Sequence, residues 1–284
     1  MTPRSFPRTL AFASLAISLA LALAAAPVSA HHRPTHTKGG GGTTPPPPPA
    51  YECWLNDQAR GPGTVVFTFD DTLRGQYAAG GVLGQRGMCA TFFAVSGMLR
   101  DGSYFTDYMS ATELKDLSAR GHDVESHTVT HPDLTTLSSS NLQYQLSASQ
   151  QTLQQLTGKS VRHFAYPFAA YNPTVQSATD AYYATARSYT DSLDEWAAMP
   201  RAAMALPALG IEAATSLATA KTYVDYAKNN GATLILVFHD LRDSPRTYDW
   251  RLSDLAALAD YAAQSGVNVR TIAQAADQGL VPTS

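Results

Sequence analysis

Seven short strand-like runs, separated by stretches with helical period, set the tightest limit on what this chain can fold into. They cover residues 65–69, 90–95, 123–126, 163–166, 181–186, 233–238 and 267–271. Runs this short and largely apolar read as strands buried on both faces. One helical stretch opens on "SATE" at residues 110–113, a capping box, and runs toward Gly121. Others cover 139–157, 213–229 and 253–265, and stop at Gly158, Gly231 and Gly266. Strands that alternate with helices pair in parallel, because a parallel pair needs a crossover long enough to hold a helix. Seven such units predict an α/β barrel or partial barrel rather than an open sheet. In that architecture reactive groups gather at the C-terminal ends of the strands.

Upstream of the first strand the sequence changes character. Arg4 and Arg8 precede an apolar stretch over 10–26, and "PVSA" ends at Ala30. This reads as a secretory signal cleaved near Ala30, with an uncleaved membrane anchor as the alternative. Residues 31–50, "HHRPTHTKGGGGTTPPPPPA", hold four glycines and then five prolines, a flexible tether followed by a stiffer one. The expected organisation is a signal peptide over 1–30, a linker over 31–50 and a folded domain over 51–284. No other segment is long and apolar enough to span a bilayer, so the mature chain is expected to be secreted or held in the cell envelope. Cys53 and Cys89 are the two cysteines. In an exported protein they read as a disulfide worth about 3–4 kcal/mol; the alternative is two buried thiols. Charged residues make up 15% of the chain and the net charge is −3, which argues against nucleic acid or an anionic membrane as main partner. Oligomeric state leaves no mark in the sequence.

Polar residues collect where the strands stop. "TVVFTFDDT" ends in Asp70 and Asp71, "SHTVTH" supplies His127 and His131, "YPF" follows the fourth strand, and "LILVF" runs into His239 and Asp240. Two like charges at the end of a buried strand are costly unless something offsets them. Two histidines four apart and one carboxylate, with open positions, form the ligand pattern of a catalytic zinc or a related divalent ion. The same set can serve ferrous iron in oxygenases, though usually on an all-β scaffold. Successive strand residues point to opposite faces. One aspartate is therefore expected to bind the cation and its neighbour to stand beside it as a base.

At these residues the chain resembles the polysaccharide deacetylases of carbohydrate esterase family 4, the NodB-homology family. "TFDDT" is similar to the family's TFDDG, "SHTVTH" to H-[ST]-x-x-H, "FAYPFA" to a variant of its third motif and "LILVFHD" to LLLHD. "ATFFAV" and "RTIAQA" also follow family habits. The resemblance implies a distorted, incomplete (β/α) barrel of about seven strands. It implies Asp70 as general base, Asp71, His127 and His131 as ligands of one divalent metal (zinc, cobalt or similar), and His239 as general acid. It also implies that the Phe168 backbone N–H holds the oxyanion, and that the reaction releases acetate from an acetylated polysaccharide. N-acetylglucosamine polymers are the first candidate substrate and O-acetylated xylan the second. The third reading is a glycan-binding relative with impaired catalysis.

Departures from the family pattern define further expectations. Thr72 replaces the glycine of TFDDG, Ala165 stands where the third motif often carries an arginine, and "DEW" at 194–196 is a loose echo of the Asp-Trp motif. Arg201, or less readily Arg187, is expected to reach in and orient Asp70. Tyr166, Tyr248 and above all Trp250 are candidates to stack on sugar rings. Glu125 shares the strand face of His127 and could support it, form a buried ion pair or sit at an exposed barrel rim; His122 and His163 begin strands and read as structural.

Overall fold

The run that ends in two aspartates forms the central strand of the sheet. In the computed structural model, which describes Cys53, residues 61–100 and residues 107–284, strand β1 (Thr64–Asp70) is buried along its whole length. It is followed by β2 (Thr91–Ala94), β3 (Asp123–Ser126), β4 (His163–Ala165), β5 (Thr185–Arg187), β6 (Ala208–Gly210), β7 (Thr233–Phe238) and β8 (Asn268–Val269). The sheet order is β5-β4-β3-β2-β1-β7-β6, every pairing is parallel, and β8 adds to the start of β1. Beyond the regular ladders, parallel bridges Arg187↔Leu206 and Thr190↔Leu209 join the exit of β5 to the approach and body of β6. The two edges thus meet, and the sheet curls into a nearly closed barrel, as expected. These residues belong to the unit Pro47–Ser284. The signal and linker expected over residues 1–50 lie outside the described residues.

Strand alternation sorts side chains into two cores. Val65, Phe67 and Phe69 of β1 and Leu234, Leu236 and Phe238 of β7 face outward into the larger cluster, with Leu255, Leu258 and Ala259 of helix α7. Each of the valine, leucine and phenylalanine side chains stabilises the fold by roughly 1.5–3 kcal/mol on burial. Val66, Phe93, Ala165, Ile235 and Val237 face inward and fill the barrel. The helices are α1 (Gly75–Gly84), α2 (Ala111–Ala119), α3 (Ser139–Thr157), α4 (Pro173–Asp180), α5 (Leu193–Ala198), α6 (Leu217–Asn230), α7 (Leu252–Ser265) and α8 (Ile272–Asp277). Ser110 and Glu113 form the capping box of α2. Gly158, Gly231 and Gly266 end α3, α6 and α7 at positive φ, where a Cβ would be strained. Helix α8 seats Ile272 and Ala275 against the inner cluster, and its Ile272 N–H donates to Thr91 Oγ1 at the start of β2 (2.9 Å). This closes the end of the barrel opposite the strand C-termini. Among the described residues no helix is long and apolar enough to cross a membrane.

Some boundaries differ from expectation, for local reasons. Of the run 181–186 only positions 185 and 186 are strand, in β5 (Thr185–Arg187), because α4, capped by Asn172 and opened by Pro173, extends to Asp180 and a turn follows it. β6 is three residues long, too short to leave a periodic signal. α6 begins at Leu217 rather than 213, because the Ser216 side chain caps it. Thr271 caps α8 and so shortens the last strand to Asn268–Val269. Cys53 and Cys89 form a disulfide that spans 36 positions and constrains the unfolded chain by about 4 kcal/mol on a loop-entropy basis.

Candidate metal centre and active-site cleft

Three loops that leave β1, β3 and β4 build the site, and they share an uncommon backbone. Asp71, Thr72, Thr128, His131, Phe168 and Ala169 are the non-glycine residues with positive φ among those described, and all six lie in these loops. Each such conformation costs about 1–2 kcal/mol and survives only where its surroundings enforce it. The enforcing contacts are present. Thr72 Oγ1 accepts the Val95 N–H (2.7 Å) and its carbonyl accepts the Met109 N–H (2.8 Å). Thr128 Oγ1 accepts the His131 N–H (2.9 Å), while Gln145 Oε1 accepts the N–H groups of Val129 (2.9 Å) and Thr130 (3.1 Å). The "SHTVTH" loop is therefore held from both sides.

This backbone brings Asp71, His127 and His131 together. His127 Nε2 lies 3.4 Å and His131 Nε2 lies 3.2 Å from Asp71 Oδ1, and the two imidazole nitrogens are 3.1 Å apart. Ligand atoms about 2.0–2.1 Å from a tetrahedral zinc are separated by roughly 3.3 Å, so the donor set has the right chemistry and spacing for a divalent cation. The tautomer fits as well. His127 Nδ1 is 2.7 Å from the Ala165 carbonyl, which can only accept, so Nδ1 carries the proton and Nε2 is left to coordinate. Burial opposes ionisation of Asp71, but the hydrogen bond and charge of His127 and the charges of His131 and His239 hold its carboxyl well below the usual range. Burial likewise opposes charge on His127, yet Asp71 and Asp70 raise its pKa. Burial and then the His127 charge push His131 down to about 4. A proton and a cation thus compete for one facing nitrogen.

Asp70 points into the barrel beside this cluster and is 4% exposed. Its partner is Arg187, itself 2% exposed, whose Nη2 donates to Asp70 Oδ1. Arg187 is the cross-strand neighbour of Ala165 in the β4–β5 register, and its guanidinium lies over the Phe93 ring (4.9 Å). Neighbours in a parallel sheet are about 4.8 Å apart on the same face. An arginine one strand over therefore reaches the place that Ala165 leaves open. Arg201, the arginine expected first, does not reach it: its guanidinium stacks on Trp196 (3.7 Å) and donates to the Trp196 carbonyl (3.0 Å), lining a different hollow with Tyr226 and Leu280.

The cleft above these groups has a volume of about 830 Å³ and also contacts Phe168, Tyr189, Asp191, Glu212, His239 and Tyr248. His239 Nδ1 is buried without a partner among the described residues. The Phe168 ring is 69% exposed and meets His131 edge-on (4.6 Å between centroids). Tyr248, 61% exposed, stands beside His239 (5.8 Å). Two expected sugar platforms are corrected here. Trp250 is 3% exposed, its Nε1 donates to the Thr215 carbonyl (2.8 Å), and its ring packs on Phe238. Tyr166 lies at the cleft wall but is buried, with Tyr171 stacked on its ring and its hydroxyl donating to the Met204 carbonyl (3.1 Å). Neither presents a free ring face. Glu125 does not support His127 either: its Oε2 accepts the N–H groups of Arg162 and His163 (both 2.8 Å) at the start of β4. Trp196 of the "DEW" sequence is buried and donates to the Pro207 carbonyl.

A parallel barrel thus carries, at its strand exits, an acid and two histidines whose donor atoms could hold a metal ion, on an incomplete (β/α) scaffold. Residues 57–186 match the family model described as polysaccharide deacetylase. Over 115 residues it is 29% identical to a chitooligosaccharide deacetylase of Azorhizobium caulinodans, covering 39% of this chain and 51% of that one. The chain thus spans about half the length of that relative. Among solved structures, the Xyl-CE4 domain of a multidomain xylanase from the hindgut metagenome of Trinervitermes trinervoides superposes with a TM-score of 0.55 at 19% identity, covering 78% of this chain and 94% of that one. A T48 deacetylase with substrate gives the same TM-score, identity and coverage. These last two likenesses are of fold.

Proposed function

We propose that this chain hydrolyses acetyl groups on an extracellular or cell-envelope polysaccharide, with the N-acetyl groups of N-acetylglucosamine units as the preferred target. Residues 51–284 would act as the catalytic domain, exported by the signal over 1–30 and tethered by 31–50. The observation that carries this reading is the convergence, in one open cleft, of the Asp71–His127–His131 cluster, the Asp70–Arg187 pair and His239.

Asp71, His127 and His131 would hold a divalent ion, zinc or cobalt, which when bound supplies Lewis acidity toward an acetyl carbonyl and a water molecule. The remaining steps fall to the chain itself. Asp70, fixed by Arg187, accepts the proton of the water that attacks the acetyl carbon. The Phe168 N–H, with no partner among the described residues, is free to donate to the oxygen that gains negative charge. His239 exchanges its proton through Nε2, since its Nδ1 is inaccessible, and delivers it to the leaving nitrogen as the C–N bond breaks. The products are acetate and a free amine. The walls of the cleft add tyrosine and carboxylate groups suited to a hydroxyl-rich ligand.

The test is acetate release from acetylated chitooligosaccharides, peptidoglycan, poly-N-acetylglucosamine and acetylxylan by the zinc- or cobalt-loaded protein, with Asp70→Asn as control. Release from an N-acetylglucosamine polymer, lost in the variant, is the expected result. Release from acetylxylan alone would move the reading to an O-acetyl esterase. No release from any of the four, with the ion retained, would leave a glycan-binding protein.

A further inference from the structure

Strands β1 and β7 pair in register as far as Phe69↔Phe238, and the ladder stops one residue before Asp70 and His239. The first turn of α1 sits across both exits. The Gly75 N–H donates to Asp240 Oδ1 (2.9 Å), which also accepts the Leu241 N–H (3.0 Å), while Arg242 Nε holds Asp240 Oδ2 (2.6 Å). A Cβ at position 75 would lie 2.3 Å from Asp240 Oδ1 and 2.4 Å from the Leu241 carbonyl oxygen, so this approach requires glycine.

Gln76 is next, completely buried, and its Nε2 donates both to the Asp70 carbonyl and to the His239 carbonyl (3.1 Å). Both partners can only accept, which fixes the orientation of the amide. Its Oε1 is buried with no partner among the described residues. A buried unsatisfied oxygen is destabilising, and an apolar side chain of similar shape would avoid it. The polar residue stands between two backbone carbonyls that belong to the two groups on which proton transfer depends.

We propose that Gln76 is a positioning residue that sets the spacing between the proposed base and the proposed acid. It rests on the roles given above to Asp70 and His239. Parallel strands that remain paired keep their residues about 4.8 Å apart. By taking both carbonyls onto one amide, Gln76 ends the ladder at a fixed opening, and the side chains of Asp70 and His239 leave it into the same cleft. Clamped to α1 through Gly75 and Gln76, neither exit can shift without the other. A displacement of about 1 Å at a reacting group can lower turnover on the order of 100-fold.

The test is a double-mutant cycle on the zinc-loaded, full-length protein, read as acetate release, with circular dichroism to establish folding. Gln76→Met keeps the volume and removes both donors. In the otherwise unaltered protein it is expected to lower kcat by about 10- to 100-fold with KM changed less than about twofold. In a His239→Ala background the same change is expected to cost less than about threefold, because spacing to an absent acid no longer matters. Equal losses in both backgrounds, or no loss in the first, would overturn the inference. Unchanged turnover in His239→Ala alone would overturn the acid role, and this inference with it. Should Gln76→Met fail to fold, Gln76→Asn replaces it in the cycle. It keeps a donor but is one methylene too short to span both carbonyls.

Discussion

Arginine 187 offers the sharpest perturbation. Its guanidinium and the Asp70 carboxylate are an almost fully buried ion pair inside the barrel, with Arg187 Nη1 also donating to the Ser188 carbonyl (3.3 Å) and the Phe93 ring below. Two charges out of water gain little net stability as a pair, but removal of one strands the other. Arg187→Met keeps most of the packing volume and leaves Asp70 unopposed. The expected loss is about 3–5 kcal/mol of folding stability, or roughly 6–20 °C in Tm for a domain of this size. Asp70→Asn removes the charge from the other end. Combined, the two changes no longer leave a lone buried charge, so the double variant should be more stable than the sum predicts by about 2 kcal/mol or more. Chemical denaturation of the four proteins measures this coupling. A coupling below about 0.5 kcal/mol would refute the idea that the two groups act as a buried unit. Arg201→Ala is the control. Arg201 is exposed, and loss of its stack on Trp196 should change stability by about 1 kcal/mol or less and leave turnover intact.

Thr72 combines a strained backbone with a hydrogen bond to Val95, so Thr72→Ala, which keeps the strain and loses the bond, should cost about 1–3 kcal/mol. Thr72→Gly relieves the strain and should be the more stable of the two in urea denaturation; the reverse order would contradict the φ assignment. His122 and His163 are held neutral by burial, at about 3 and about 4, and His122 Nδ1 accepts the Ala90 N–H (3.1 Å). Their folded pKa values lie below the unfolded value near 6.5. Each therefore supports the fold fully above pH 6.5 and loses that contribution as pH falls toward its folded value, by about 1.4 kcal/mol per pH unit while it titrates. NMR should show neither ring titrating above pH 5 in the folded protein, and titration of either near 6.5 would count against their burial. Phe168→Ala and Tyr248→Ala remove the exposed rings that flank His131 and His239. Either should raise KM for a polymeric substrate several-fold while leaving hydrolysis of a small aryl acetate within about twofold. Equal effects on both substrates would contradict a role in contact with the sugar chain.

The sequence made the strand ends legible because apolar runs and polar stops are local signals. Asp70, Asp71, His127, His131 and His239 all follow such runs and all arrive in one region. Arg187 was harder to read. What places it opposite Asp70 is its register beside Ala165 on a neighbouring strand, and register between strands leaves no mark within either one. Its only signal was the arginine missing at Ala165, which pointed to Arg201 before Arg187. Gln76 carried no signal at all, since a glutamine in the first turn of a helix is ordinary until the two carbonyls it meets are seen. Trp250 and Tyr166 misled for a related reason. An aromatic near a barrel mouth can face the cleft or the core, and only the positions of Thr215, Phe238, Tyr171 and Met204 decide it. Thr72 marks the boundary between the two cases. The resemblance located the turn, whereas the Val95 N–H that makes a β-branched residue tolerable there belongs to β2's exit.

The most direct test is to count and weigh the bound ion. Titration calorimetry of chelator-stripped protein with zinc and with cobalt, paired with elemental analysis of the protein as purified, should give one ion per chain. Asp71→Asn, His127→Gln and His131→Gln should each weaken binding by at least about tenfold, while Asp70→Asn retains the ion and loses acetate release. Protein that takes up neither metal, or variants of those three residues that bind as tightly as the parent, would contradict a metal centre built from Asp71, His127 and His131.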